Sequence, residues 1–150
     1  MRSGVSAYND LRDQPALAGT SHLSPDLKWG TIHPRTLLAD LDLSGPKDDG
    51  AMVFSSELAW RDFYADVLYR APDSARWDLT DALAGMRYGN GSQATDVRLF
   101  EAWTQGRTGY PIVDAGMREL WQTGYMHNRV RMITASFLVK NLLLHWHHGA

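Results

Sequence analysis

A hydroxyl-rich segment near the start of the chain has side chains that suit a phosphate group. The run TSHLSP (residues 20–25) carries hydroxyls at Thr20, Ser21 and Ser24 and leads into the helix-start signal Ser24-Pro25-Asp26. Hydroxyls and the backbone N–H groups of a helix start donate to phosphate oxygens, and the positive end of the helix attracts the anion. The simpler interpretation is that Ser24 only caps the helix. A phosphate site is the alternative.

Glu57 and Arg61 are four residues apart, the spacing at which two side chains meet on one helix face. By default they form a solvated surface pair that stabilises the helix by about 0.2–0.5 kcal/mol. A functional role requires that this face border a cavity and that Trp60 be exposed for stacking, which contributes roughly 1–3 kcal/mol per nucleic-acid base. The local sequence alone favours the surface pair.

The segment MHNRVRM (residues 126–132) opens the last predicted helix and concentrates basic and amide side chains there. Asn128, Arg129 and Arg131 beside a helix start could hold a phosphate backbone. The alternative is an ordinary capped amphipathic helix with solvated arginines. Arg131 lies between Val130 and Met132, so we expect it to be partly buried. A buried arginine needs an anionic partner.

Other familiar chemistries are excluded or unsupported. The chain has no cysteine, which excludes disulfides, thiolate zinc sites and cysteine nucleophiles. The run His145-Trp146-His147-His148 lacks the spacing of a catalytic H-E-x-x-H zinc site, and we assign no metal to it. Neither a nucleophile-elbow serine motif nor a glycine-rich phosphate loop is present.

Size and composition fit one globular domain. The chain has 150 residues, 44% of them hydrophobic, and a net charge of −2. Acidic residues exceed basic ones over residues 1–100, and the balance reverses over 101–150, so a local basic surface is possible there. Arg131 and Lys140 interrupt the most apolar stretch, so we expect no membrane span. The absence of cysteine agrees with a cytoplasmic protein, which we also expect.

The elements that must position these residues are predicted to be helices and loops. In the first half, a short helix lies around residues 8–11, helices start at Ser24 and at Pro34, and residues 44–50 form a polar loop. Ser55 or Ser56 caps a helix through Tyr69. Its apolar stripe has helical spacing and comprises Trp60, Phe63, Tyr64, Val67 and Leu68.

The second half continues the pattern without a convincing strand. Residues 72–93 are turn-rich, a helix over residues 97–105 ends at Gly106, and Asp114 caps a helix that Gly124 terminates. Met117, Leu120 and Trp121 share one face of that helix. The last helix covers about residues 128–145 and buries Val130, Ile133, Phe137, Leu138 and Leu142. The predicted fold is all-α.

Taken together and in order, these segments resemble successive motifs of the photolyase/cryptochrome flavin domain. The motifs are Tyr8, TSHLSPDLKWGTIHPR (residues 20–35), ELAWRDFY (57–64), FEAWTQGRTGYPIVDAGMREL (100–120) and MHNRVRMITASFLVK (126–140). The resemblance covers nearly the whole chain except the loop over residues 72–91.

This resemblance implies FAD as cofactor and damaged DNA as partner. The residues that would hold the FAD phosphates are Tyr8, Thr20, Ser21, His22, Leu23 and Ser24. Arg131 would be the flavin-side arginine, and Phe54 stands where the family often has a tryptophan beside the flavin. Glu57, Trp60, Asn128 and Met132 would face the damaged bases. Arg12, Arg61 and Arg129 would lie along the DNA-facing surface or the rim of the pocket.

The implied reaction is the light-dependent splitting of cyclobutane pyrimidine dimers, with Glu57 hydrogen-bonded to the dimer. Asn128 and Met132 resemble the dimer-repair branch, whereas the branch that repairs (6-4) lesions usually has histidine at the position of Met132. The alternatives are a cryptochrome-like blue-light receptor and a non-catalytic remnant. The resemblance implies a monomer.

The sequence also departs from the family pattern. Trp146 matches the middle tryptophan of the family's photoreduction chain and is assigned a catalytic role there, but the distal position falls on Gln93, with Tyr88 as a possible substitute. Tyr125 replaces a usual tryptophan, and Asn141 a usual acid. The family's antenna domain would precede Tyr8, and its proximal tryptophan and the acid that pairs with Arg131 would follow Ala150. We therefore expect residues 1–150 to be a partial helical FAD- and DNA-binding domain.

Overall fold

The chain is helical, as predicted. The computed structural model describes residues 5–43, 48–83, 85–89 and 92–150, and no β-strand occurs in these ranges. The helices are α1 (Tyr8–Leu11), α2 (Ser24–Trp29), α3 (Pro34–Leu43), α4 (Asp49–Arg70), α5 (Ala94–Thr104), α6 (Pro111–Thr123) and α7 (Asn128–Lys140). They form two compact units, Met1–Ala75 and Arg76–Ala150. No helix in the described ranges is both long and apolar enough to cross a bilayer.

The first unit is built on the 22-residue helix α4, against which α1 and α3 pack. Its core consists of Leu37, Leu41, Ala51, Phe54 and Leu58. At Gly50 a Cβ atom would collide with the backbone carbonyls of Val5 and Ser6, so α4 begins under a backbone crossing that only glycine permits.

Helix α4 begins earlier than predicted. The carboxylate of Asp48 caps it by accepting from the backbone N–H of Ala51 at 2.9 Å. The predicted cap at Ser55 or Ser56 is therefore wrong, because both residues already lie inside the helix, where the Ser55 hydroxyl donates to the Ala51 carbonyl. Of the predicted polar loop, residues 44–47 lie outside the described ranges, and residues 49 and 50 are helical.

The apolar stripe of α4 exists, but it is not the buried face. Trp60, Phe63 and Tyr64 are each about half exposed or more, whereas Phe54 and Leu58 face the core. The three exposed rings contact one another, with centroids 5.4–6.0 Å apart. The helical periodicity of the sequence thus identified an apolar face of α4 but did not show whether that face is buried or exposed.

The second unit packs α5 against α6 and α6 against α7. Its core comprises Trp103, Val113, Met117, Met126, Val130, Phe137, Leu138 and Leu144. The indole N–H of Trp103 donates to the buried carbonyl of Thr134 at 3.1 Å, which joins α5 to α7. A Cβ atom at Gly116 would overlap the Val130 side chain, so this glycine sets the close approach of α6 and α7.

Helix ends in this unit partly differ from the predictions. Helix α5 starts at Ala94, three residues early, and α6 starts at Pro111, so that Asp114 lies in the first turn and is not the cap. Gly124 ends α6 in a left-handed conformation with φ 72°, as predicted. The turn-rich stretch contains two short 3₁₀ helices, Pro72–Ala75 and Asp81–Leu83, with residues 84, 90 and 91 outside the described ranges.

Helix α7 is shorter than predicted and ends at Lys140. Leu143 is left-handed with φ 53°, and the amide of Leu144 returns to the carbonyl of Leu138 at 3.1 Å. This reversal places Leu144 in the core, 1% exposed. Val130, Phe137 and Leu138 are buried and Leu142 is partly buried, as predicted, whereas Ile133 is 38% exposed and that prediction is wrong. Trp121 is also exposed, at 87%, and shares no buried face with Met117.

Candidate functional site

Four residues predicted at the flavin and dimer sites meet in the first unit. The rings of Tyr8 and Phe54 form an edge-to-face pair with centroids 5.4 Å apart, and the Arg12 guanidinium lies 5.6 Å from the centre of the Tyr8 ring. Arg12 Nη1 is 2.7 Å from Glu57 Oε1. Phe54 and Glu57 lie on one face of α4, three residues apart. We refer to Tyr8, Arg12, Phe54 and Glu57 as the Arg12–Glu57 cluster.

The ion pair in this cluster orients the Glu57 carboxylate more than it stabilises the fold. The side chains of Arg12 and Glu57 are 23% and 37% exposed, and partly solvated pairs contribute about 0–1 kcal/mol. The Tyr8 ring lies beneath the Arg12 guanidinium and helps to hold it in place through a cation–π contact. Because the contact uses Oε1, the second carboxylate oxygen can accept a hydrogen bond from a ligand.

The predicted pairing of Glu57 with Arg61 is wrong. Arg61 instead donates from Nη2 to the carbonyl of Leu27 at 3.0 Å and lies 3.9 Å from Asp62. Its side chain thereby connects α4 to α2 and borders a groove of about 460 Å³. His33 and Arg35 also line this groove. Their cationic and imidazole groups beside Arg61 were not identified from the sequence, because α3 approaches α4 only in the folded unit.

The segment 20–24 is a bend that displays polar side chains. His22 is left-handed with φ 55°, and the Leu23 N–H donates to Ser21 Oγ at 3.4 Å. Helix α2 begins at Ser24 without a side-chain cap, so the predicted capping role of Ser24 is wrong. Since α2 has only six residues, its macrodipole adds little. Ser21, His22 and Ser24 are exposed, Thr20 is half-buried, and their hydroxyl and imidazole groups are a donor set that fits phosphate oxygens.

Three predicted substrate residues meet on α7 in the second unit. Asn128 Nδ2 and Arg129 Nη1 each lie 3.8 Å from Met132 Sδ. All three side chains are exposed. An amide, a guanidinium and a thioether thus form one surface, which we call the Asn128 face. Such a surface combines donors for base edges or phosphates with an apolar contact.

Arg131 does not have the predicted burial. It is exposed, and among the described residues no carboxylate lies within ion-pair distance of it. Val130 points to the core and Arg131 to another face, because successive helical residues are separated by about 100°. Arg131 lines a cavity of about 260 Å³ together with Trp103, Met126 and Trp146. This predicted flavin-side arginine therefore borders a largely apolar space.

Trp146 is half-buried at the same cavity. Its indole N–H donates to Asp78 Oδ1 at 2.6 Å. Tyr88, the suggested substitute donor, forms an edge-to-face pair with His145 at 5.1 Å, and His145 lies 5.5 Å from the Trp146 ring. Gln93 precedes α5 at its N-cap. No group of three metal-ligating side chains occurs in the described part of the chain.

Known proteins are similar to this chain over nearly its whole length. Residues 54–150 match the family model described as the FAD binding domain of DNA photolyase. A deoxyribodipyrimidine photo-lyase of Vibrio cholerae is 44% identical over 99% of this chain and 31% of its own length. The Escherichia coli protein of the same name is 43% identical, also over 99% of this chain and 31% of its own length.

Solved structures of photolyases and cryptochromes also match this chain. A bacterial class III photolyase from Agrobacterium tumefaciens matches with a TM-score of 0.89 and 40% identity over 97% of this chain and 30% of that protein. A Synechocystis cryptochrome matches with a TM-score of 0.80 and 32% identity over 98% of this chain and 30% of that protein. The chain spans about 30% of the length of these relatives. By sequence and by fold, the chain belongs to the family of DNA photolyase FAD-binding domains.

Proposed function

We propose that this chain forms part of the FAD- and lesion-binding domain of an enzyme that splits cyclobutane pyrimidine dimers in light. The observation that carries the proposal is the Arg12–Glu57 cluster, in which residues expected to hold the flavin contact residues expected to face the lesion. The Vibrio cholerae and Escherichia coli relatives are named for this reaction. The two compact units would both belong to this one domain.

The residues of the chain fit an FAD molecule. The side chains of Thr20, Ser21, His22 and Ser24 would donate to its phosphates, with Leu23 packed on the core behind them. Tyr8 and Phe54 would supply an aromatic wall, and Arg131 a positive charge. The bound flavin supplies one-electron chemistry, and an archaeal photolyase similar to this chain has a crystal structure with two FAD molecules.

The remaining residues would bind and orient the lesion. Photolyases flip the damaged bases out of the duplex, at a cost of a few kcal/mol for unstacking. Trp60, which is exposed, would stack on the flipped bases, and the Glu57 carboxylate would accept a hydrogen bond from them. The Asn128 face would contact base edges, while Arg61 and Arg129 would neutralise phosphates.

The first experiment tests FAD binding by the chain. FAD is titrated into the purified protein, and the flavin absorbance that survives gel filtration is measured. Retained flavin supports the proposal, whereas a colourless protein favours the non-catalytic remnant. Replacement of Ser21 and Ser24 by alanine should weaken FAD retention, while replacement of the exposed Ser136 on α7 should not.

The second experiment tests the dimer role of Glu57. We compare Glu57→Gln with Glu119→Gln, which removes an exposed carboxylate from α6, in the chain joined to the flanking segments of the Vibrio cholerae relative. Blue-light repair of a thymine-dimer oligonucleotide should fall at least ten-fold in the first variant only, the loss expected when a hydrogen bond to a charged group worth roughly 1.5–3 kcal/mol disappears. Full repair by Glu57→Gln contradicts the assigned role.

A cryptochrome-like blue-light receptor is the second candidate, favoured by the match to the Synechocystis cryptochrome. The thioether of Met132 and the amide of Asn128 fit the dimer-repair branch better. A receptor would bind FAD but would not discriminate dimer-containing from undamaged DNA. The ratio of the two dissociation constants therefore separates the candidates.

The remaining proposals concern the state of the protein. We propose a metal-free monomer in the cytoplasm; the absence of cysteine, which rules out thiolate metal sites, supports the metal-free state. Light scattering coupled to gel filtration measures the mass, and elemental analysis measures bound metal. A mass of two chains, or a stoichiometric metal, overturns the corresponding proposal.

A further inference from the structure

His127 immediately precedes the Asn128 face and is almost completely buried. It is the N-cap residue of α7, and its side chain is 4% exposed. Its Nδ1 accepts a hydrogen bond from the backbone N–H of Arg129 at 3.1 Å. The bond reaches the first turn of α7, which carries both Asn128 and Arg129.

The geometry specifies how the ring is protonated. Nδ1 uses its lone pair to accept from Arg129, so the proton of the neutral imidazole resides on Nε2. Nε2 is itself buried, and no acceptor among the described residues contacts it. Within the described part of the chain, the bond to Arg129 is therefore the hydrogen bond through which the His127 side chain acts on α7.

Histidine is not among the residues preferred as helix caps, which are serine, threonine, aspartate and asparagine. Here its ring combines the capping acceptor with enough bulk to remain in the core beside Met126, which is also buried. The buried imidazole ring therefore has little freedom to move, and its Nδ1 holds the helix start through the bond from Arg129. Unbonded N–H groups at a helix start allow its first turn to fray.

We propose that His127 is a positioning residue for lesion binding: as the Nε2–H tautomer it fixes the first turn of α7 and thereby the side chains of Asn128 and Arg129. Met132, one turn further on, contacts both of these side chains through its sulfur. The inference rests on the proposed function, because it assigns the Asn128 face to the damaged DNA. His127 itself contacts no base in this scheme.

Two near-isosteric variants separate the capping bond from the buried donor. In His127→Asn the side-chain oxygen occupies the position of Nδ1 and can still accept from Arg129. In His127→Gln the amide group reaches the position of Nε2, and the capping acceptor is lost. His33 offers a matched control for the NMR and exchange measurements, because its Nδ1 accepts from the backbone N–H of Arg35 at the same 3.1 Å but the residue is exposed and lies at the start of α3.

The first measurements need no DNA. Nitrogen NMR of the histidine rings should show His127 protonated on Nε2 and not on Nδ1. Hydrogen exchange at the Arg129 amide should accelerate roughly five-fold in His127→Gln, as for the loss of a helix cap, and should stay near the wild-type rate in His127→Asn. The opposite tautomer, or equal exchange in both variants, overturns the positioning role.

The last measurement is the affinity of the chain for a thymine-dimer oligonucleotide and for its undamaged counterpart. His127→Gln should lose several-fold in affinity for the dimer, and His127→Asn should retain it. Equal affinity in both variants overturns the inference. If the wild-type chain itself does not discriminate the dimer, the proposed function fails, and the NMR and exchange results alone decide whether His127 fixes the turn.

Discussion

Asp114 offers the sharpest test of how the second unit is held together. Its carboxylate is buried and accepts three hydrogen bonds from the preceding loop: from the Thr108 N–H at 2.7 Å, the Thr108 hydroxyl at 2.6 Å and the Gly109 N–H at 3.0 Å. The loop therefore closes onto the first turn of α6 through one side chain. We expect Asp114→Ala to open it.

The magnitude follows from the three bonds. Hydrogen bonds to a charged group contribute roughly 1.5–3 kcal/mol each when buried, and less where solvent can replace them. Thr108 is half-buried and Gly109 is exposed, so water can satisfy part of the loop after the substitution. We therefore expect Asp114→Ala to lower the free energy of unfolding by about 3 kcal/mol, and Asp114→Asn, which keeps one acceptor oxygen, by about half of that.

The pH dependence has a definite sign. Burial acts to raise the pKa of Asp114, but the hydrogen bonds from Thr108 and Gly109 and the charge of Arg118 together lower it below its ordinary value of 3.8. A carboxyl whose pKa is lower in the folded state contributes stability above its unfolded pKa and loses that contribution as the pH falls through the folded pKa. The advantage of wild type over Asp114→Asn should thus be full at neutral pH and decline below 3.8.

Urea unfolding monitored by circular dichroism at a series of pH values measures both effects. Glu119→Gln is the control, because it removes an exposed carboxylate from the same helix and should change stability by less than about 0.5 kcal/mol. If Asp114→Asn were as stable as wild type at neutral pH, or if its deficit grew on acidification, the carboxylate would not hold the loop by charge-assisted bonds.

Three further predictions concern packing and the ion pair. Gly116→Ala should lower the free energy of unfolding by about 1–3 kcal/mol, because the added methyl group would overlap Val130. Gly85→Ala, with open space around the residue, is the control and should be near neutral. Equal free energies of unfolding for the two variants would contradict the close helix crossing. Trp103→Phe should lower the free energy of unfolding by about 2 kcal/mol, because it removes the hydrogen bond to the Thr134 carbonyl and part of the core volume. Thermal denaturation measures this loss, and an unchanged melting temperature would refute it. Glu57→Gln should change the free energy of unfolding by less than about 1 kcal/mol, so a larger loss in urea unfolding would show that its effect on repair is structural.

The sequence predicted which segments are helical better than where they end. The start of α4 was missed because Asp48 stands in the run SGPKDDG, which is typical of a loop, although an aspartate there is a strong helix cap. The end of α7 was missed because apolar residues continue past Lys140. The helix ends with Lys140 in its last turn and Asn141 as its C-cap, both typical of a helix end, and the left-handed Leu143 then reverses the chain.

For the site, local rules predicted residue types and missed partners. The i, i+4 spacing assigned Arg61 to Glu57, but the partner is Arg12, which is distant in the sequence and reaches α4 through the packing of α1. Likewise the apolar neighbours of Arg131 suggested burial, whereas the helical rotation carries it to an exposed face. The first error concerns a tertiary contact, which periodicity does not encode, whereas the second neglected the rotation of about 100° between successive helical residues.

The Arg12–Glu57 cluster and the Asn128 face differ in how they are held, and this bears on which is more sensitive to substitution. The cluster spans α1 and α4 and is fixed by a ring pair, a cation above a ring and an ion pair, so the loss of one contact leaves the others. The start of the Asn128 face is held by one side-chain cap, the bond that His127 accepts from Arg129. Under the proposed function, loss of that cap should therefore weaken lesion binding more than loss of the ring pair between Tyr8 and Phe54.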